Sequence, residues 1–222
     1  PYEFHSIDER LVYCKTLPDA NLLIFASKHS SAAGVPSLSV HATGNWNTAE
    51  IGGNEHELAI APALYLAEAL VKIEELTKKQ NIPIDVVQEC THHGPTENKQ
   101  IMFIEIGSTE KEWKTQEYGK IIAETIQHIM AHKPRQRKVA IGIGGTHYCQ
   151  NFKKLILNEN YAFGHICPKY QLEFFTKEML QQAIEKTTPT VEEIVVDWKG
   201  VGSYKEKIKQ IIETMDIPMR KI

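Results

Sequence analysis

Two hydrophobic periods alternate along this chain. Leu22 to Ala26 is an unbroken apolar run that empties into Ser27-Lys28-His29-Ser30-Ser31, the pattern of a buried strand followed by a polar loop. Ser37 to Ala42 reads as a second strand. From Ile60 to Thr77 apolar residues return every three or four positions, with Glu68, Lys72 and Glu75 opposite, which predicts an amphipathic helix with Pro62 in its first turn. Asp85–Cys90 and Ile101–Ile106 read as strands, parted by a polar loop that contains Gly94 and Pro95. Glu110 to His132 reads as one long helix with Trp113, Ile121, Ile122, Thr125 and Ile129 turned inward. Val139–Ile143, Ala162–Cys167 and Ile194–Val196 are further strands, and Thr176–Lys186 and Tyr204–Thr214 further helices. Residues 149–160 carry no assigned element. Strands alternating with helices predict an α/β fold, a single layered domain over residues 1–222 whose central sheet is mostly parallel or mixed and flanked by helices.

Composition narrows the class. With 222 residues, 42% hydrophobic and 24% charged, the chain suits a packed core and excludes disorder and coiled coil. Lys and Arg total 25 against 28 for Asp and Glu, a net charge of -3, so no chain-wide positive field exists to hold a polyanion. Any nucleic-acid site is therefore local, and DNA is not an expected partner. No apolar run approaches the ~18 residues of a membrane-spanning helix, so no membrane association is expected. The cysteines Cys14, Cys90, Cys149 and Cys167 lie far apart without a Cys-x-x-Cys pair; they read as small buried hydrophobes in a reduced, cytoplasmic setting rather than as thiolate ligands. The chain begins at Pro1, which reads as a trimmed or partial N-terminus.

The placement of the histidines carries the chemistry. His29, His41, His92, His93, His147 and His165 all fall in or just past predicted strands, and ligands of open α/β sheets gather at the carboxyl ends of strands. The sharpest element is Glu89-Cys90-Thr91-His92-His93-Gly94-Pro95-Thr96-Glu97. Neighbouring residues of a strand face opposite ways, so His92 and His93 converge only if the strand has already broken, as Gly94-Pro95 would force. Imidazoles with carboxylates suit Zn²⁺, although the spacing matches no zinc signature and loop hydrogen bonding is the competing role. Gly142-Ile143-Gly144-Gly145-Thr146-His147-Tyr148 follows a strand; its amides either face an anion or simply make a tight turn. Glu105 is a charge in an apolar strand, read as a site carboxylate or as a solvated edge residue. The basic run Lys133, Arg135, Arg137, Lys138 is a solvated helix end or an RNA contact, and Lys28, Lys169 and Lys199 sit in strand-end loops where a phosphate could lie.

With Ser27 to Ser31, His41-Ala42-Thr43-Gly44-Asn45-Trp46, Thr91 to Glu97, Phe103 to Ser108 and Gly142 to Tyr148 in view, the chain resembles the D-aminoacyl-tRNA deacylase family of archaea and plants. Ala162-Phe163-Gly164-His165 and Val196-Asp197-Trp198-Lys199-Gly200 extend the resemblance, which covers about residues 22 to 200. It implies a cytoplasmic, zinc-associated hydrolase with a fold similar to the phosphorylase and peptidyl-tRNA hydrolase type, whose substrate is D-aminoacyl-tRNA. Thr146 and Cys149-Gln150 depart from the family pattern, in which Gly and a small-residue-Pro pair are common. On this reading Zn²⁺ is held by some of His92, His93, Glu97 and His147. Glu89 or His29 is the base, and His93 stands among the catalytic residues. Gly144 and Gly145 face the oxyanion, Asn45 and His41 hold the amino group or terminal ribose, and Lys169 and Lys199 lie nearer the phosphates. Two rivals remain: a metal-dependent hydrolase or phosphorylase of a small nucleoside or peptide, and a non-catalytic zinc-binding module.

Overall fold

Buried apolar strands supply two four-stranded sheets. The computed structural model describes residues 2–31 and 34–222; Pro1, on which the expectation of a trimmed N-terminus rests, lies outside the described residues. The chain runs β1 (Leu23–Lys28), β2 (Ser37–His41), β3 (Gly44–Asn45), β4 (Glu57–Leu58), β5 (Ala61–Pro62), α1 (Ala63–Lys79), β6 (Asp85–Gln88), β7 (Ile101–Gly107), α2 (Glu110–Trp113) and α3 (Gln116–Ala131). It continues with β8 (Lys138–Ile143), α4 (Gln150–Asn158), β9 (Tyr161–Cys167), α5 (Lys177–Glu185), β10 (Thr187–Thr188), β11 (Glu193–Val196), α6 (Lys205–Ile212) and β12 (Met219–Lys221).

The first sheet has the order β1-β7-β2-β6 and the second β12-β11-β8-β9. Within these two sheets β2 and β7 run antiparallel, and the other paired strands run parallel. The mixed α/β expectation therefore holds. The sheets meet along β6 and β9, where Gln88 Nε2 donates to Phe163 O at 2.9 Å and the Thr91 amide to Ile166 O at 2.9 Å. Helix α1 covers this seam, packing on β2, β6 and β9, and one apolar cluster runs from Leu38 and Val40 through Leu66, Leu70 and Ile73 to Phe163 and Val195. Every residue of β9 is buried, because this last strand of its sheet lies at the seam, against β6 and beneath α1.

Three elements differ from expectation. The helix predicted over Glu110–His132 is two helices: a capping box between Thr109 and Glu112 closes one short turn, and Thr115, extended at φ -75 and ψ 109, starts α3. Helix α1 begins at Ala63 rather than Ile60, because the Ile60 amide donates to Lys99 O and the Ala61 amide to Lys186 O, holding residues 60–62 extended. Helix α4 occupies the stretch left unassigned, burying Phe152, Leu155 and Ile156 at helical spacing. All four cysteines are buried, as the hydrophobe reading requires.

Candidate active site

The segment after β6 is stitched between the sheets. The Glu89 amide donates to Val40 O (2.9 Å), the Cys90 amide to His147 O (2.9 Å) and the Gly44 amide to His93 O (2.8 Å). These bonds draw residues 89–93 alongside the end of β2 and the loop after β8. The strand breaks at His93 itself, whose φ of 43 puts it in the left-handed region and lets it share a side with His92. Ring centroids of His92 and His93 lie 4.4 Å apart, and those of His92 and His147 4.6 Å. His41, at the end of β2, stacks on Phe103 at 5.2 Å and lies 4.3 Å from His92. A cleft of about 1390 Å³ opens over this cluster, lined by His29, His92, His93, Glu105, His147 and Tyr148 among others.

Two buried carboxylates floor the cleft. Glu89 Oε2 accepts from His147 Nε2 at 2.8 Å, and its Oε1 lies 3.5 Å from His29 Nδ1. Glu105 Oε2 lies 3.6 Å from His29 Nδ1 and 3.5 Å from His41 Nε2, so Glu105 is a site carboxylate and not a solvated edge residue. Burial opposes charge on both glutamates, yet both stay ionised: the His147 hydrogen bond with the fields of His41 and His29 lowers Glu89, and the close approach of His29 and His41 holds Glu105 well below the usual range. Burial also opposes charge on His147 and His29. Contacts to Cys90 and Glu89 nonetheless push His147 up to about 11, and Glu105 and Glu89 raise His29.

His92 and His93 behave oppositely. Burial, reinforced by His41, drives His92 well below the ordinary imidazole value and His93 down to about 4. Both rings are therefore neutral, and their tautomers follow from their neighbours. His92 Nδ1 faces Cys90 O at 2.8 Å, His93 Nδ1 faces Gly94 O at 2.7 Å and His41 Nδ1 faces Ala42 O at 3.1 Å. A carbonyl oxygen only accepts, so each Nδ1 carries the proton and each Nε2 of a neutral ring presents a bare lone pair. For His92 that lone pair lies 3.6 Å from Glu89 Oε2, while His41 Nε2 lies 3.5 Å from Glu105 Oε2, at ion-pair distance. Acceptor facing acceptor in a buried site is repulsive unless a cation or a proton stands between them. His41 Nε2 and Glu89 Oε1 are buried without a neighbour in hydrogen-bond geometry; their nearest opposite groups, Glu105 Oε2 and His29 Nδ1, each stand at 3.5 Å. Among the described residues three donor groups could hold a metal ion: His41 with His92 and His93, Cys90 with His92 and His147, and His29 with Glu89 and Glu105.

The sequence-predicted residues thus divide. His29, His41, Glu89, His92, His93 and His147 meet at one cleft. Glu97 does not: the chain leaves the cleft at Gly94, whose amide donates to Ile51 O at 3.0 Å, and Glu97 is exposed and outside the three donor groups. Asn45 braces a loop instead of facing a ligand, its Nδ2 donating to Gly52 O (2.9 Å) and Asn54 O (3.1 Å). Gly144 has no amide to offer an oxyanion, because that N–H donates to Cys167 O at 2.8 Å. Gly145 and Lys169 line a second, smaller cavity with Asp197 and Asn151, and Lys199 is exposed in the loop that follows β11. His165 is structural: Thr91 Oγ1 lies 3.1 Å from its Nδ1 and its Nε2 donates to Ala59 O at 3.0 Å. Sequence reasoning missed Cys90 as a donor and Tyr170, whose Oη lies 3.3 Å from Cys90 Sγ and 3.2 Å from His147 Nδ1. Adjacency of Cys90 to the histidine pair was the available signal; nothing local marked Tyr170.

The family model described as D-aminoacyl-tRNA deacylase matches residues 16–220. The D-aminoacyl-tRNA deacylase of Thermococcus onnurineus is 43% identical over 200 residues, which is 88% of this chain and 72% of that protein. The deacylase of Methanosarcina acetivorans is 40% identical over 205 residues, 91% of this chain and 67% of its own length. The crystal structure of a conserved protein of unknown function, AF0625, superposes with a TM-score of 0.88 at 32% identity, covering 96% of this chain and 78% of that one.

Proposed function

The chain belongs to the D-aminoacyl-tRNA deacylase family, and from that premise we propose that it hydrolyses the ester joining a D-amino acid to the 3′ end of tRNA, with Zn²⁺ held in the histidine cleft. The observation that carries the reading is the convergence of His41, His92 and His93, whose ring nitrogens lie within 4.8 Å of one another, with the bare Nε2 of His92 turned toward the buried Glu89 carboxylate. The donor chemistry fits Zn²⁺, which takes neutral imidazole, thiolate and carboxylate, and whose histidine ligands are commonly oriented by a carbonyl on the other ring nitrogen. His41, His92 and His93 are the residues that would hold it, joined through His92 to the Cys90–His147 pair.

An aminoacyl ester is already activated; its hydrolysis needs a positioned water, a base and a proton for the departing oxygen. Glu89 is the base, ionised beneath the cleft with Oε1 making no hydrogen bond. His29, its pKa raised by the two carboxylates beside it, serves as acid rather than base. Its Nε2, 3.4 Å from Tyr148 Oη, delivers the proton to the 3′ oxygen. Glu105 steadies His29 and His41 together. Bound Zn²⁺ supplies Lewis-acid polarisation of the ester carbonyl. A tRNA-borne substrate assigns the reaction to the cytoplasm, and no helix among the described residues is long and apolar enough to cross a membrane.

The test is release of amino acid from matched D- and L-tyrosyl-tRNA by the protein before and after chelation. A D-selective rate that falls on chelation and returns with Zn²⁺ supports the reading. Equal rates on both enantiomers, or indifference to the chelator, refute it.

A further inference from the structure

A set of lysines leads away from the cleft. Its first member is reached through Tyr170, whose hydroxyl sits on His147 and Cys90 while the residue remains 55% exposed. One end of this side chain is anchored in the reaction cleft and the rest faces solvent. The Lys169 amide donates to Gly145 O at 3.0 Å, fixing the turn that presents Tyr170, and the Lys169 ammonium rests against Gly202, where an added Cβ would come within 3.2 Å of Nζ. Lys199 follows in the same loop as Gly202, whose amide donates to Lys199 O at 3.3 Å. Next to it the Trp198 ring lies under Lys221 Nζ at 3.8 Å and Lys205 Nζ at 5.5 Å. None of Lys169, Lys199, Lys205 and Lys221 has a carboxylate partner among the described residues, in a chain whose net charge is -3.

The denser basic run offers no such path. Lys138 pairs with Glu193 at 2.8 Å and Arg137 donates to Ile156 O at 2.9 Å, and both stand at the start of β8, the opposite end of that strand from His147.

We infer that the Tyr170–Lys169–Lys199–Lys205–Lys221 rim is the track of the single-stranded 3′ end of tRNA, with Tyr170 as a stacking platform for a terminal base and the lysines against phosphates. Single strands are held by an aromatic face beside a cationic groove, and this rim joins both to the cleft where the ester would react. The inference rests on the deacylase reading.

Binding of uncharged tRNA across a salt series tests it. The triple variant Lys199→Gln, Lys205→Gln, Lys221→Gln is expected to bind roughly tenfold more weakly near 0.1 M salt, with the slope of log Kd against log salt reduced by about two. Tyr170→Ala is expected to weaken binding roughly tenfold while Tyr170→Phe, which keeps the ring, does not. An unchanged Kd and slope in the triple variant would overturn the inference, as would an equal loss in the double variant Lys133→Gln, Arg135→Gln. The two readings fail separately: a wild-type protein that releases no D-tyrosine strikes the deacylase reading, whereas the salt slope judges the rim.

Discussion

Two polar pockets lie at the carboxyl ends of strands, and they differ in one respect. Around Asp197 the carboxylate is matched: Oδ2 accepts from Asn151 Nδ2 at 2.9 Å, Oδ1 accepts from the Gly200 amide at 2.9 Å, and the nearby Gly144 amide is bound to Cys167 O. In the histidine cleft, His41 Nε2 and Glu89 Oε1 make no hydrogen bond, and the bare Nε2 of His92 faces the Glu89 carboxylate at 3.6 Å. Position on the sheet is common to both. The difference teaches that a ligand is called for by unmatched buried atoms, since each costs roughly 1–3 kcal/mol until something satisfies it. A pocket whose polar atoms satisfy one another holds its own loops together.

The contrast breaks most visibly at His93. His93→Ala is expected to strip bound metal and to lower deacylation at least roughly 100-fold, while Glu97→Ala, outside the donor groups, keeps both within about twofold. Metal per chain by elemental analysis, beside the D-tyrosyl-tRNA rate, decides it. Wild-type metal content in the His93 variant, or loss of metal in the Glu97 variant, would reverse the assignment.

Asp197→Ala should do the opposite. With two hydrogen bonds removed from a buried nest, the chain is expected to lose about 1–3 kcal/mol of stability, a fall of several degrees in Tm, with metal content unchanged. Thermal unfolding and metal analysis on the same sample read both quantities, and a stable variant that sheds metal would contradict the contrast.

The contrast is sharpened last at His165, the matched histidine, where the effect depends on pH. Burial pushes it down to about 4, against an ordinary value of 6.5, so between those values the unfolded chain binds more protons than the folded one. Its neutral state therefore contributes stability that is intact above pH 6.5 and is lost progressively as pH falls toward 4, up to about 3 kcal/mol. His165→Gln should destabilise the chain most at neutral pH and progressively less at lower pH. A penalty that stays constant from pH 7.5 to about pH 4.5 by denaturant titration would contradict this.

Much of this was legible before any coordinates. The apolar runs marked all the main strands of both sheets except the short β12, because a buried strand writes its burial into consecutive residues. Helix α4 was not legible, since a nine-residue helix with three buried positions leaves too weak a period. Among site residues, histidines past strand ends were readable as a group, whereas Asn45 and Gly144 were misassigned because hydrogen bonds to distant backbone, invisible in local sequence, had already claimed their polar groups.

By itself, then, the sequence determined the alternating architecture, the gathering of imidazoles at one edge and the resemblance that its motifs carry. Only the tertiary structure decided that His92 and His93 are neutral with Nε2 bare, and that Glu105, Cys90 and Tyr170 join the cluster while Glu97 does not. The reason is physical. Burial and period are properties of neighbouring residues, but protonation and ligand geometry depend on partners such as Gly94 O, Glu105 and His147, and folding alone brings these within 4 Å.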